Sequence, residues 1–189
     1  AASLRMIHNL TVIRPGDANE VKEAWIAAMQ NQTGPTALLL TRQGLPTLDR
    51  SVYPSASGLH QGAYTLWQSG EGSPDILLIA TGSEVELALN AAEKLAEEAV
   101  NVRVVSMPSC ELFEQQDGAY QESVLPDACD LRVAIEAGTS FGWERYVGRK
   151  GAMICKDDFG ASGPYTVLLE KFGFTVERVV DAAHNLLKG

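Results

Sequence analysis

Short apolar runs alternate with helix-length segments from residue 74 onward, and this alternation constrains the fold more than any other feature. The runs are PDILLIATGS (74–83), NVRVVSMP (101–108), DLRVAIEAG (130–138) and GAMICKDDFG (151–160). Helical candidates lie between and after them, at 84–99, 117–124, 140–149, 163–172 and 175–188. Strands that alternate with helices form a largely parallel sheet with helices on both faces. The sequence therefore predicts a three-layer α/β domain, with AYTLWQS (63–69) as one further strand.

A single strand–helix–strand unit precedes that domain. Its segments are NLTVIRP (9–15), DANEVKEAWIAAMQN (17–31) and PTALLLTR (35–42). Asp17 and Glu20 resemble a capping box at the start of the helix. The apolar face predicted for the helix consists of Val21, Ala24, Trp25, Ala28 and Met29. Because one such unit cannot enclose a core, it is either part of the following domain's sheet or the tail of another domain.

Charge and composition divide the chain near residue 45. The formal net charge is −9, which argues against a non-specific nucleic-acid binder because such proteins need a basic surface. Residues 1–45 are close to neutral, so the acidic excess lies in the remainder. Residues 43–62 are rich in Gly, Pro and Ser without periodicity, which is typical of a linker. We therefore predict a domain remnant at 1–45, a linker at 46–63 and a complete domain at 64–189.

The cysteines and the apolar runs indicate where the protein resides. The longest strongly apolar run, Ile76 to Ala80, is too short to span a membrane. Cys110, Cys129 and Cys155 are odd in number and widely spaced, a pattern that predicts neither a disulfide framework nor a zinc site. With no secretory leader in the sequence, we expect a cytoplasmic protein, and we expect Cys155 to be a buried strand residue.

Few side chains stand in a pattern that supports catalysis. His8, His60 and His184 are scattered, without a partner at the spacing of a metal site or a catalytic triad. Asp157 and Asp158 are adjacent, so in a strand they would point to opposite sides, and we expect them to be solvated. The residues alone thus predict no catalytic group, no cofactor-binding group and no metal ligand.

Two strand ends carry polar groups with alternative interpretations. Ser83, in ATGSE (80–84), begins a helix where backbone N–H groups can hold an anion. Capping of that helix by Ser83, with Glu86 completing a capping box, is favoured because the loop lacks a phosphate-motif spacing. Glu136 directly follows the strand RVAI, where α/β proteins often place functional groups, but pairing with an arginine or with backbone donors is favoured.

Arg42 is the strongest candidate for binding a ligand. It ends the strand-like run ALLLT, at the edge of a parallel sheet where ligands of α/β proteins bind. A guanidinium there suits a phosphate or a carboxylate, since it can donate two parallel hydrogen bonds. From the residues alone, a surface or interdomain salt bridge remains the favoured role.

Several motifs, in order along the chain, resemble the transketolase family. They are ASLRMIHNLTVIRPGDANE, GPTALLLTRQGLP, ILLIATGSEVELALNAAEKL, VRVVSMPS, DGAYQESVLP, VAIEAG and FGASGP with LLEKFGFTVERVV. The resemblance covers nearly the whole chain and is weakest at 46–62. The chain resembles the last third of a transketolase: the end of the pyrimidine-binding domain, followed by the C-terminal domain.

This resemblance implies a specific fold and activity. The C-terminal domain of the family has a mostly parallel five-strand sheet with one antiparallel strand. Transketolases move a two-carbon ketol unit from a ketose phosphate to an aldose phosphate, using thiamine diphosphate and Mg²⁺ or Ca²⁺, and they are homodimers. Arg42, in TRQG, corresponds to the arginine of the family's SRQN-like motif, which contacts the substrate phosphate. The resemblance therefore makes substrate binding the favoured role of Arg42.

The departures from the family pattern matter as well. The family's G-D-G cofactor motif is absent, PGDAN being a helix cap, and the residues that activate the cofactor lie upstream in the family. Gly16, Gly44 and Gly163 replace the residues most often expected. We therefore expect that Ala1 is not the start of the protein and that the chain alone neither binds cofactor nor catalyses. Two alternatives stay open: a stand-alone module that binds an anion or regulator, and one subunit of a split enzyme.

Overall fold

A small parallel sheet forms the N-terminal part of the computed structural model, which describes residues 1–189. Strands β1 (Thr11–Ile13) and β2 (Thr36–Leu38) pair with Thr11 opposite Thr36. Helix α2 (Ala18–Gln30) connects them, and the short helix α1 (Ala2–Arg5) precedes them. The predicted βαβ unit is confirmed. It is a separate two-stranded sheet and does not extend the sheet that follows.

The second sheet has five strands. They are β3 (Tyr64–Gln68), β4 (Ile76–Ala80), β5 (Val102–Ser106), β6 (Arg132–Ile135) and β7 (Ala152–Ile154). Their order across the sheet is β3-β5-β4-β6-β7, and only β3 runs antiparallel to its neighbour. The predicted α/β fold, with a mostly parallel five-strand sheet and one antiparallel strand, is confirmed.

Helices cover both faces of this sheet. They are α3 (Glu84–Glu97), α4 (Cys110–Glu114), α5 (Gly118–Val124), α6 (Glu144–Val147), α7 (Tyr165–Phe172) and α8 (Val176–Leu187). Every residue of β4 is fully buried, because alternate side chains enter two cores. Leu78 packs in the core that contains residues of α3 and α8, whereas Leu77 packs in the core that contains Phe113 of α4 and Trp143.

The segment between the two sheets is ordered and packed. It contains a 3₁₀ helix, Ala56–Gln61, whose Leu59 is fully buried against Ile13 and Ala24. Gly62 ends this helix with φ of +82°, and a Cβ atom there would lie 2.0 Å from the backbone nitrogen of Phe113. Only glycine fits that turn. The N-terminal unit therefore packs against the C-terminal domain through this segment.

Helix α2 buries less than its pattern predicts. Of the predicted apolar face only Ala24 is buried, while Trp25 is 54% exposed and Met29 is 78% exposed. A two-stranded sheet is too narrow to cover the helix. The start of α2 follows the prediction more closely: the Asp17 carboxylate accepts a hydrogen bond from the Glu20 N–H, but Glu20 accepts from Gly16 instead of from the cap residue.

Two local predictions are wrong. Ser83 precedes α3 but makes no capping hydrogen bond, because its own backbone is already helical and its hydroxyl donates to Glu84 at 2.6 Å. Glu86 therefore completes no capping box. Cys155 is only half-buried, since β7 ends one residue earlier, at Ile154.

Candidate functional site

Arg14 joins the small sheet to the carboxyl edge of the large one. It directly follows β1, and its guanidinium donates to the carbonyl of Thr81, to the Glu84 carboxylate at 2.5 Å and to Ser83 Oγ at 3.3 Å. Gly82, with φ of +60°, allows this approach, since a Cβ there would lie 2.6 Å from the guanidinium carbon. The loop considered as an anion cradle thus receives an arginine of the same chain.

Glu84 ties this junction to the neighbouring strand. Its side chain is 2% exposed, and besides Arg14 and Ser83 it accepts a hydrogen bond from the backbone N–H of Ala137 at 2.9 Å. Ala137 lies just after β6, so one carboxylate holds together the ends of β1, β4 and β6. Buried charges require such partners, because an unpaired carboxylate in an apolar interior is strongly destabilising.

Glu136 has the structural role that the sequence favoured. It is 1% exposed, and Arg5 donates two hydrogen bonds to its carboxylate, at 2.8 and 2.9 Å. Trp143 Nε1 donates a third, at 2.9 Å, and the guanidinium carbon of Arg5 lies 5.8 Å from the Trp143 ring centroid. Burial alone would raise the pKa of Glu136, but the hydrogen bonds and charge of Arg5 hold it below its ordinary value. Glu136 is therefore an ionised structural anchor.

A second buried carboxylate, Glu20, has no cation within hydrogen-bond distance. It is 1% exposed and accepts hydrogen bonds from Gly16 N–H, Tyr64 Oη and Ser106 Oγ, at 2.6 to 2.7 Å. Burial raises the pKa of Glu20 above its ordinary value, although these donors oppose the shift. Helix α2 is thereby fixed to strands β3 and β5.

Arg42 lines a cavity at the carboxyl ends of both sheets. Strand β2 ends at Leu38, so Arg42 lies four residues into the following loop and is exposed, not at the strand end as predicted. The cavity has a volume of about 400 Å³ and also contains Arg14, Glu84 and Lys156 in its wall. Arg42 forms no salt bridge within the chain, so its guanidinium is available to a ligand.

Two of the three histidines and one of the adjacent aspartates have separate hydrogen-bond partners. His60 contacts Glu23 at 2.9 Å, and His184 contacts Glu98 at 2.7 Å. Asp157 accepts hydrogen bonds from residues 139 and 140. No group of three or more His, Cys, Asp or Glu side chains is placed to hold a metal ion, so the donors of this chain do not fit a metal–diphosphate site. No helix has the length and apolarity that a membrane crossing requires.

Sequence reasoning missed Arg5, Arg14 and Lys156. Two of them could have been found from the sequence. Arg14 and Lys156 each follow a strand-like run, and it was this position that made Arg42 a candidate. Arg5 had no comparable signal, since its partner Glu136 is 131 residues away.

Comparisons with known proteins cover both parts of the chain. A family model described as "Transketolase, pyrimidine binding domain" matches residues 1–47, and one described as "Transketolase-like TK C-terminal domain" matches residues 62–175. The transketolase of Aquifex aeolicus is 51% identical over 179 residues, which are 95% of this chain and 26% of that protein. That of Geobacillus stearothermophilus is 49% identical over 186 residues, 98% of this chain and 28% of that protein. The chain thus spans about a quarter of the length of these curated relatives.

Solved structures agree with these relatives. Transketolase from Leishmania mexicana superposes with a TM-score of 0.90 at 42% identity, over 99% of this chain and 26% of that one. A Pichia stipitis transketolase in complex with sedoheptulose 7-phosphate gives 0.89 at 35% identity, over the same shares. A split-gene transketolase, an inactive β4 tetramer, gives 0.73 at 22% identity, over 99% of this chain and 61% of that one, which supports the fold alone. The family model of the C-terminal domain alone matches more than half of the residues of this chain. The chain therefore belongs to the transketolase family.

Proposed function

We propose that this chain is the C-terminal part of a transketolase, which transfers a two-carbon ketol unit from a ketose phosphate to an aldose phosphate. The observation that carries the proposal is the 51% identity to a transketolase over nearly the whole chain. We place the end of the pyrimidine-binding domain at 1–45, a linker at 46–63 and the C-terminal domain at 64–189. The assembled enzyme would be a cytoplasmic homodimer, and the free state of all three cysteines fits a reducing compartment.

Arg42 is the substrate-binding residue of this proposal. The loop that carries it lies at the carboxyl end of a parallel strand, and its guanidinium has no anionic partner in the chain. A planar guanidinium matches the oxygens of a phosphate ester better than an ammonium does. Arg42 would therefore bind and orient the sugar phosphate through its phosphate group, away from the reacting carbons.

The chain alone should be inactive. In the assembled enzyme thiamine diphosphate with Mg²⁺ or Ca²⁺ would supply the carbanion chemistry. The acidic and thiol side chains of this chain do not form a metal site, and the sequence has no G-D-G motif. We expect calorimetry of the isolated chain with thiamine diphosphate and Mg²⁺ to give no heat of binding; saturable heat would contradict this part of the proposal.

A chimera tests the role of Arg42. The chain would replace the corresponding part of the Aquifex aeolicus transketolase, and we expect the chimera to transfer ketol units between sugar phosphates. Arg42→Ala should raise KM by about tenfold or more and change kcat less, because a charge-assisted hydrogen bond to the phosphate is lost in ground and transition states alike. The matched control is Arg149→Ala, which removes an exposed arginine outside the cavity. An unchanged KM for Arg42→Ala would refute the assignment.

A second candidate is one subunit of a split transketolase. The sequence leaves this alternative open because the chain lacks the G-D-G motif; the likeness to the split-gene protein shows only that the fold is compatible with it. The gene sequence upstream of residue 1 distinguishes the two candidates. A continuous reading frame with a G-D-G motif supports the one-chain enzyme, whereas a start codon next to residue 1 supports the split form.

A further inference from the structure

We propose that Lys156 is a second phosphate-binding residue, which acts with Arg42 on one small organic phosphate in the cavity of about 400 Å³ between the two sheets. The inference rests on the proposed function only for the role of Arg42. It adds a residue of the C-terminal domain to the site, and so makes ligand binding depend on how the two parts of the chain are docked.

The charge of the cavity wall is the first argument. The wall contains three cations, Arg14, Arg42 and Lys156, and one carboxylate, Glu84. Arg14 and Glu84 neutralise each other at 2.5 Å. Two positive charges therefore remain without a partner, in a chain whose net charge is −9. A local excess of cations on an acidic protein attracts an anion to that place.

The placement of Lys156 is the second argument. Its ammonium lies 4.8 Å from the ring centroid of Phe172, and its backbone N–H donates to the carbonyl of Gly138 at 2.7 Å. An aromatic face holds an ammonium by its quadrupole and leaves the positive charge intact. These two contacts hold Lys156 in place. Because Lys156 forms no salt bridge within the chain, its charge is available to a ligand.

The position and shape of the cavity are the third argument. Its wall includes residues at the carboxyl ends of β4, β6 and β7, where open α/β sheets bind ligands. Helix α7 contributes an apolar side of Leu168, Leu169 and Phe172. A ligand with a charged end and a short carbon skeleton fits such a wall. A phosphate monoester carries nearly two negative charges at pH 7 and three acceptor oxygens, which matches two cations better than a single carboxylate does.

Titration of the ¹⁵N-labelled 189-residue chain with ribose 5-phosphate tests the inference. Ribose without phosphate serves as the ligand control. We expect amide shifts at Gln43, Ala137 and Lys156 with ribose 5-phosphate only. Lys156→Met removes the charge and keeps an apolar side chain against Phe172, and Arg42→Gln removes the other charge. Each should weaken binding about tenfold, while Lys171→Gln, an exposed charge on α7 outside the cavity wall, should leave it unchanged.

The other outcomes overturn the inference in distinguishable ways. If only Arg42→Gln weakens binding, Arg42 binds the phosphate without Lys156, and the proposed function stands. If only Lys156→Met does, the shared site is wrong and the substrate role of Arg42 is weakened with it. Shifts outside the cavity, or none at 20 mM ribose 5-phosphate, overturn the inference. The kinetic test of Arg42 in the chimera is independent of this result.

Discussion

The two sheets of this chain are stabilised by different means. The five-strand sheet has apolar cores of 19 and 13 buried residues on its two faces. The two-strand sheet has a core of three, Ile13, Ala24 and Leu59, and one of these comes from the connecting segment. No residue of β2 is fully buried, whereas every residue of β4 is. The apolar surface buried in the C-terminal domain is large enough to stabilise that domain by itself. The apolar surface buried in the N-terminal unit is far too small to do the same.

Polar junctions replace the missing core of the N-terminal unit. Arg5 and Arg14 pair with buried carboxylates of the C-terminal domain, and Glu20 accepts hydrogen bonds from Tyr64 and Ser106. A buried charge that loses its partner is more costly than an apolar contact of similar size. The docking of the two units is therefore specific in geometry, and the cavity that contains Arg42 and Lys156 depends on it.

The largest expected effect concerns the core of the five-strand sheet. Leu78→Ala should lower the free energy of unfolding by about 3 kcal/mol, because it removes a fully buried side chain from a packed core. Urea unfolding followed by circular dichroism measures this. Leu40→Ala in the N-terminal unit, where Leu40 is 50% exposed, should change it by less than about 0.5 kcal/mol. Similar losses in both variants would show that the two units do not differ as described.

The next effect concerns a junction between the units. Arg5→Met should cost about 3 kcal/mol, because it leaves the Glu136 carboxylate buried with only Trp143 as a side-chain partner. The double variant with Glu136→Gln should recover much of the loss, since no buried charge then remains. A double-mutant cycle measures the coupling. Lys94→Met, which breaks the exposed pair with Glu177, should cost less than about 1 kcal/mol. Additive effects of the two junction variants would contradict the proposed anchor.

Sequence patterns predicted the C-terminal domain better than the N-terminal unit because the two units bury different amounts of apolar surface. The runs around β4 and β6 are continuously apolar because both faces of those strands are covered, and that requirement is visible locally. In α2, the spacing of Trp25 and Met29 predicts an apolar face of the helix. It does not predict whether another element of the fold covers that face. The exposure of these side chains could not be predicted from the segment alone.

The candidate site was predictable only in part. Arg42 was selected by its position after a strand, and the structure places it in the wall of the cavity, exposed and four residues beyond β2. Its substrate role remains a prediction. The failure at Ser83 has a local and a long-range component: its hydroxyl donates to the adjacent Glu84, and Arg14, 69 residues away, donates to the same hydroxyl. Lys156 follows a strand-like run as Arg42 does, but only the fold shows that the two residues line one cavity.

A smaller effect on stability distinguishes an aspartate that only caps a helix from one that also binds the connecting segment. Asp17 caps α2 and also accepts hydrogen bonds from the Leu48 N–H and from Arg50, both at 3.0 Å. Asp17→Ala should cost about 2 kcal/mol, the upper end for an N-cap, because partners in the connecting segment are lost as well. Asp117→Ala removes an exposed cap, that of α5, and should cost about 1 kcal/mol. Equal losses in urea unfolding would show that Asp17 does no more than cap its helix.

The smallest effect is a pH dependence in which two buried carboxylates oppose each other. The pKa of Glu136 lies below its ordinary value of 4.5, so its contribution to stability is present above pH 4.5 and is lost as the pH falls through the lowered pKa. The pKa of Glu20 lies above 4.5, so its contribution is present below pH 4.5 and is lost as the pH rises through the raised pKa. In the unaltered chain the Glu136 contribution therefore changes below pH 4.5 and the Glu20 contribution above it.

Single variants separate these two trends. Between pH 4 and pH 7, Glu20→Gln should gain stability with rising pH relative to Glu136→Gln, mainly because only Glu136→Gln retains Glu20, whose contribution is lost as the pH rises above 4.5. Urea unfolding at several pH values measures the difference, and comparison of the two variants cancels the carboxylates that both retain. Parallel profiles would mean that the two junctions do not differ in charge state. The N-terminal unit would then be held through Glu20 in the same way as through Arg5, and the contrast between a hydrogen-bonded and an ion-paired junction would be lost.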